Sequence, residues 1–488
     1  MRSFAPPPTL FQGRVWTRAR LTEVAAAWRR ALHGPLRSHD APVAMVMTNH
    51  PQSVALFWAL SCFPLPLVVL PPDMKPWRSD PPLPPDTHVV LSPATGDLEA
   101  EVRRLGLAVT VLTDVPDGAG APGDAPPFMT MPGIVMFTSG STAAPRPVYR
   151  RTDAVIAAVR ASVDAMALPR GSGVIASMPL ARAYGFNHGL VAAVVLDGPL
   201  ALLRRFHHTA VLKLFASRAY EYWVGTPVMI DVLGRCRLSA ARHPAPRVCD
   251  VGGRLAADVA RRFEERFGVP PRQHYGTTET GTVSVHGVKV DGEATAGGRP
   301  ELAGHPLRGV EVRIGDDPRT PAPTGTVGRI WLTSRYMMEG YGFPGGLVVP
   351  DTVAGWWATP DVGHLDGAGR LTVTGRLDDA VRTDAGQLVN PGHVAAALET
   401  YPGIIDVAVV AVTTGAGPVL GVLVESAEPP SLAELRAHLW RSLPAWSQPR
   451  VVEVTDRLPR LTNGRIDRRA CVARLARALA RGAPRVSS

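Results

Sequence analysis

The stretch FTSGSTAAPRPV, Phe137 to Val148, joins an apolar strand, IVMFT, to a loop dense in hydroxyls. Four hydroxyl residues, Thr138, Ser139, Ser141 and Thr142, surround Gly140. A loop that cradles phosphate needs this mixture. N–H and O–H donors must converge on anionic oxygens, and a glycine lets the backbone come close. A polar turn built for no ligand has a similar composition, and the GxxxxGK[ST] spacing of a Walker loop is missing. The loop is therefore weighed with its surroundings.

Outward from it the chain alternates strand and helix. On the N-terminal side, VVLSPA and LAVTVLTDV read as short buried strands flanking the helical DLEAEVRRLG. On the C-terminal side, an Ala/Val-rich helix from Thr152 leads to the strand VIASMP. PRVCDVGG reads as a strand ending in a glycine turn, followed by the amphipathic helix LAADVARRFEERFG with Gly268 as C-cap. Loops rich in Pro, Gly and Asp begin at Pro71, Asp114 and Gly315. After about Gly325 the pattern becomes strand-rich, and about the last hundred residues read as a small α+β unit ending in a basic helix. The fold class expected is α/β: a large multi-subdomain N-terminal domain over 1–376 and a small mobile α+β domain over 377–488.

Bulk properties agree with a globular chain. It has 488 residues, 45% hydrophobic and 19% charged, enough for more than one core. Cys62, Cys236, Cys249 and Cys471 are scattered, which argues against a disulfide framework or a zinc site. The start lacks the apolar core of a signal peptide. The apolar run SVALFWALSCFPLPLVVLPP, from Ser53, is broken by Pro64 and Pro66 into a helical and a strand-like half. Neither half is long enough to span a bilayer, so a soluble, cytoplasmic protein is expected, without membrane. The net charge is +10, but 49 of the 52 basic residues are arginines, alongside abundant Ala, Gly and Pro. That looks like a compositional bias rather than a nucleic-acid surface, and no aromatic-interleaved basic stripe accompanies it. A basic surface is compatible with an acidic carrier-protein partner.

Five further segments carry the remaining chemistry. They are ASMPLARAYGFNHGL from Ala176, VGTPVMIDVL from Val224, DVGGRL with Gly252 and Gly253, HYGTTETG from His274, and the long WATPDVGHLDGAGRLTVTGRLDDAVRTDAGQLVNPGHVAAALE from Trp357. Together with the hydroxyl loop they resemble, in order, the motifs of the adenylate-forming (ANL) superfamily of acyl-CoA synthetases, aryl-acid ligases and peptide-synthetase adenylation domains. The resemblance covers about the last three-quarters of the chain. It implies an enzyme that uses ATP and Mg²⁺ to turn a carboxylic acid into acyl-AMP with release of pyrophosphate. The acyl group would then pass to the thiol of CoA or of a phosphopantetheinyl carrier protein.

The same resemblance implies roles for individual residues. Thr138, Ser139, Gly140, Ser141 and Thr142 would cradle phosphates. Gly252 and Gly253 would lie along adenine and acyl group, and Tyr275 would stack on adenine. Thr278 would meet the α-phosphate and Glu279 would hold the metal. Asp361 would accept the ribose hydroxyls, and Arg376 would reach ribose or phosphate. Arg182, Tyr184 and Gly185 would line the acyl pocket. Asp378 would be the hinge, and Gly386 would line the thiol channel.

Departures from the family pattern are Ala143, Arg146, Arg182, Pro360, Thr383 and His393. The sharpest is LPRLTNGRIDRR, where Arg465 stands for the lysine that meets the carboxylate and α-phosphate. Arginine keeps the charge but replaces a compact ammonium by a planar fork. The aligned segments offer no evident acidic residue to grip an ammonium group, which ranks amino-acid substrates below aryl or short acyl acids of secondary metabolism. Two alternatives stand beside the thiol ligase. One is an adenylate-forming enzyme with an amine, nitrite or internal hydroxyl as acceptor, and the other is a degenerate ligand-binding relative. Other motifs dissolve: GSGVIA at Gly171 precedes a strand, and His207–His208 lacks a third metal ligand.

Overall fold

The computed structural model describes all residues except 1–4, 74–78, 117–129, 139–143, 237–242, 254, 256, 288–301, 378–380, 383–387, 390, 400, 416, 427, 444, 461–465 and 481–488. It separates into two compact units, one of residues 1–312 with 332–357 and one of 313–331 with 358–488.

The first unit is built on two sheets. In the nine-stranded sheet, Val174–Ala176, Tyr222–Gly225, Val248–Gly252 and Arg272–Thr277 lie side by side and parallel. In the seven-stranded sheet, Val43–Val46, Leu67–Leu70, His88–Leu91, Ala108–Val111 and Gly133–Phe137 are parallel. The inner strands Val43–Val46, Leu67–Leu70, Val174–Ala176 and Tyr222–Gly225 are buried at every position, as parallel strands covered on both faces are. The helix Pro51–Leu60 is buried at every position and packs in a core that both sheets share. That accounts for the apolar run from Ser53: its helical half is an interior helix. Among the described residues no helix is long and apolar enough to cross a membrane.

One element was not legible as a strand. Pro147–Arg151 pairs antiparallel with Gly133–Phe137, so the hydroxyl loop closes a hairpin. Pro145 and Pro147 read as loop, yet Pro147 sits at the first strand position, where a missing N–H does no harm.

The second unit contains an α+β body. Ile404–Thr414 pairs antiparallel with Gly417–Ser426, which runs parallel to Val451–Thr455. Alternate residues face opposite sides, Val407 and Val409 toward helices Pro391–Glu399 and Leu432–Ser442, and Ala408 and Val410 toward Arg468–Ala480. Ser431 and Glu434 form a capping box on Leu432–Ser442.

Candidate active site

In open α/β sheets ligands bind beyond the carboxyl ends of the parallel strands. The motifs of the first unit gather there. Thr138 follows Phe137, Gly252 ends its strand, and Thr278 and Glu279 follow Thr277.

Thr138 fixes the neck of the hydroxyl loop. Its N–H donates to the Arg146 carbonyl, and its Oγ1 accepts from the Arg146 N–H, each at 3.0 Å. The Arg146 guanidinium lies 3.5 Å from the centroid of the Tyr341 ring, a cation–π contact. The Tyr341 hydroxyl donates to Glu279 Oε1 at 3.0 Å. Burial, with the Glu279 charge beside it, raises the Tyr341 pKa and keeps the phenol protonated for that role. One continuous chain thus links the loop neck, Arg146, Tyr341 and Glu279.

The turn that presents Thr278 and Glu279 is held from below. Thr277 Oγ1 accepts from the Thr280 N–H at 3.1 Å and lies 3.0 Å from Thr280 Oγ1. A Cβ at Gly276 would sit 2.5 Å from the Gly281 carbonyl oxygen, so the tight return at that point requires glycine. Arg150, almost fully buried, donates to the carbonyls of Thr280 and Tyr336. Burial lowers its pKa to about 10 while the Glu279 charge opposes the fall, so it remains a buried cation beneath this turn. Glu279 accepts a single hydrogen bond among the described residues, at Oε1, leaving Oε2 without a protein donor. A carboxylate with one oxygen anchored and one open is a suitable donor for a hard cation such as Mg²⁺.

The segment expected to border the acyl group leads into a buried polar cluster. Ala183–Gly185 continues through a π-helical turn, Phe186–Val191, into Ala192–Leu196. π-Helical turns recur at functional sites because the wider turn re-aims side chains. Here His188 is buried against Tyr222, Asp250, His274 and Thr282. The Tyr222 proton goes to Asp250 Oδ2 at 2.9 Å, because a carboxylate only accepts. His188 Nδ1–H therefore donates to the Tyr222 oxygen at 2.7 Å, and Nε2 accepts from Thr282 at 2.9 Å. Burial, reinforced by the neighbouring His274, holds His188 down to about 3, so it is neutral. Burial pushes Asp250 up, but His274, His188 and the Tyr222 hydroxyl outweigh it and the carboxyl falls below its usual range. Tyr184 lies over this cluster, its ring against the Gly252 backbone. A Cβ at Gly252 would come within 2.6 Å of the ring.

The other expected residues are placed as follows. Gly185 is buried in the turn carrying Tyr184, and Tyr275 pairs with Ser284 across an irregular antiparallel register. Gly253 follows Gly252 in a positive-φ turn. Arg182 is engaged by Asp73 through Nη2 at 2.9 Å from both carboxylate oxygens. In the second unit, Asp361 and Arg376 face each other directly across the hairpin of Trp356–Leu365 and Leu371–Arg376. Ser139, Gly140, Ser141, Thr142, Asp378, Gly386 and Arg465 lie outside the described residues.

Sequence reasoning missed Arg146 as a positioning group, Tyr341, Arg150 and the whole set His188, Tyr222, Asp250 and His274. Asp250 had a readable signal: a lone charge inside the otherwise apolar strand VCDVG.

The hairpin neck at Thr138, the Glu279 carboxylate and the buried polar cluster around His188 thus stand together in the first unit, contributed by both of its sheets. Residues 84–342 match the family model for the AMP-binding enzyme, and residues 393–465 match the AMP-binding enzyme C-terminal domain. The chain belongs to the AMP-binding enzyme family, within the adenylate-forming superfamily.

Among relatives, it is 28% identical to a sulfoacetate–CoA ligase of Cupriavidus necator over 410 residues, covering 78% of this chain and 77% of that one. It is 30% identical to a probable 2-succinylbenzoate–CoA ligase of Mycobacterium tuberculosis over 364 residues, 70% of this chain and 84% of that one. Its fold is like that of ATP-bound MatB from Rhodopseudomonas palustris, with TM-score 0.79, 21% identity, and 98% and 97% of the two chains covered. The o-succinylbenzoate CoA synthetase of Bacillus subtilis superposes with TM-score 0.77 at 19% identity, covering 96% and 95%. The chain is an AMP-forming acid–thiol ligase in type, activating a carboxylic acid to acyl-AMP before thioester formation.

Proposed function

We propose that the chain activates an aryl or short acyl acid of secondary metabolism in the cytoplasm, passing it to CoA or to the phosphopantetheine of an acidic carrier protein. The observation that supports this reading is the linked set Thr138, Arg146, Tyr341 and Glu279, which ties the neck of the hydroxyl loop on one sheet to the metal-type carboxylate that follows a strand of the other.

In the first half-reaction a carboxylate oxygen of the acid attacks the α-phosphorus of ATP. The bond to the β-phosphate oxygen breaks, giving acyl-AMP and pyrophosphate. The loop 138–142 receives the departing phosphates, and Thr278 meets the α-phosphate. Glu279, oriented by Tyr341, would hold Mg²⁺ through its open oxygen. The metal would neutralise charge that develops on pyrophosphate. Tyr275 stacks on adenine, Gly252 and Gly253 border adenine and acyl group, and Asp361 and Arg376 take the ribose side. Arg465 supplies positive charge to the carboxylate and α-phosphate in a lysine's place.

In the second half-reaction the thiol sulfur attacks the acyl carbonyl carbon, AMP leaves, and the thiol proton passes to solvent. A domain of 377–488, turning about Asp378, would bring Gly386 to the thiol path.

The test is product analysis by mass spectrometry, with ATP, Mg²⁺, an acid panel and CoA, a phosphopantetheinyl thiol or an amine. The expected product is a thioester with equimolar AMP. An amide formed in preference to any thioester would overturn the thiol assignment.

A further inference from the structure

Arg150 holds more donors than its protein partners use. Nε and Nη2 donate to the Tyr336 and Thr280 carbonyls, while Nη1 makes no hydrogen bond among the described residues. The guanidinium packs flat against Gly281, where a Cβ would stand 3.0 Å from Nη2 and 3.1 Å from Nη1. A second unused polar group lies on the π-helical turn Phe186–Val191, one residue before His188. This is Asn187, whose amide makes no hydrogen bond among the described residues. Each of the two residues is only 5% exposed, so bulk solvent does not serve them. Helix interiors disfavour asparagine, and a buried amide without a partner is costly. Proteins retain such groups where a water or ligand completes them.

Arg150 and Asn187 meet at one small cavity, which Thr278 also lines. Its remaining walls are apolar, among them Met136, Val148 and Phe186. The cavity volume is about 10 Å³, the room that a single water molecule needs. An enclosed water also needs two to four polar partners, and guanidinium, amide and hydroxyl are the kinds on offer. The space is too small for an organic ligand, and a cation in its wall makes it unsuited to a metal.

We propose that Arg150 and Asn187 are positioning residues for adenylation, holding one water between them against Thr278. This rests on the adenylation step above, in which Thr278 meets the α-phosphate. The turn around Thr278 is held at its flanks, Thr280 by Thr277 and by Arg150. The Thr278 side chain itself makes no hydrogen bond among the described residues, and the water supplies that support. The same guanidinium reaches the metal-type carboxylate by a second route. It holds the Tyr336 carbonyl, and two residues on, the Met338 N–H donates to the Glu279 carbonyl at 2.8 Å. Arg150 therefore couples the residue for the α-phosphate to the residue for the metal, acting through them rather than on substrate.

The experiment compares Arg150→Lys, Asn187→Leu and Asn187→Ser with the wild type in ATP–pyrophosphate exchange, using the acid that the wild type uses best. Calorimetry measures ATP binding by each. Leucine matches asparagine in size but removes both polar groups, whereas serine keeps a hydroxyl and leaves room for a further water. The expected result for Arg150→Lys and Asn187→Leu is a fall in kcat of about tenfold or more, as slight misplacement of a reacting group causes. KM for the acid and Kd for ATP should stay within about threefold of wild type, since the loss falls on the step and not on binding. Asn187→Ser should return kcat to within about threefold of wild type, a water replacing the lost amide. Asn187→Leu keeps the test open where lysine at the buried Arg150 position unfolds the chain. An unchanged kcat in folded Asn187→Leu overturns the inference and leaves adenylation intact. So does an equal loss in the leucine and serine variants that follows their melting temperatures, the mark of a merely structural role. Silence of the wild type with every acid contradicts adenylation itself and takes this inference with it.

Discussion

The two ends of the site in the first unit are built on opposite principles. At the expected nucleotide end, Thr138, Arg146, Tyr341 and Glu279 form an open chain of contacts, ending in a carboxylate oxygen that no group occupies among the described residues. At the expected acyl end, Thr282, His188, Tyr222 and Asp250 form a closed, buried chain of hydrogen bonds. An open chain suits a ligand that arrives with its own charge and metal, because little must be displaced. A closed chain suits support, because removing any member leaves a buried partner unpaired. Damage at the nucleotide end should therefore cost rate, and damage at the acyl end should cost stability.

The largest expected effect is at Glu279. Glu279→Gln removes the carboxylate charge but preserves shape, and acid-dependent pyrophosphate exchange should fall by about 10²-fold or more, since a metal contributes several kcal/mol to such a step. The melting temperature should barely move. A variant that melts early while keeping its rate would break the contrast between the two ends.

His188 gives the converse. His188→Gln interrupts the closed chain and leaves Tyr222 or Thr282 without its partner, at a cost of about 1–3 kcal/mol in chemical denaturation. Acid sharpens the point. Unfolded His188 takes up a proton below its ordinary 6.5, and the folded residue refuses it until about 3. Its contribution is thus fully present above pH 6.5 and is lost as pH falls toward 3, by at most about 1.4 kcal/mol per pH unit. The Gln variant should show a shallower slope across that window. An unchanged slope would mean that His188 is not the buried neutral base described.

Gly252→Ala tests the cover between the two ends. The added carbon meets the Tyr184 ring, and overpacking of this kind costs about 1–3 kcal/mol. Use of the acid should weaken more than binding of ATP, which calorimetry measures. Equal weakening of both would separate Tyr184 from the acyl end. The smallest effect is expected at Tyr341→Phe, which deletes one hydrogen bond to Glu279, worth about 1 kcal/mol. A few-fold rise in the Mg²⁺ concentration required for exchange would report it.

The same contrast explains what could be read in the sequence. The alternation of buried strands with helices gave the α/β body, and the loop motifs carrying Thr138, Thr278 and Glu279 stood out because their letters are contiguous. Tyr341 did not, since it reaches Glu279 from about sixty residues further along the chain. The acyl cluster was hidden for a different reason. His188, Tyr222, Asp250 and His274 come from a helix and three parallel strands, and only the sheet brings them together. His188 and His274 stood inside quoted motifs without a chemical reason to single them out. Asp250 stood in VCDVG, where a charge in a buried strand was itself the signal. The strand Pro147–Arg151 was hidden by Pro147 and the preceding Pro145, and with it the buried Arg150 that supports the Thr278–Glu279 turn.

The most direct test is acid-dependent ATP–pyrophosphate exchange by the full chain, with Mg²⁺ and with Arg465 in place. The account predicts exchange that requires a carboxylic acid and is lost with chelator. No exchange with any acid from folded protein, alongside no heat of ATP binding, would contradict it.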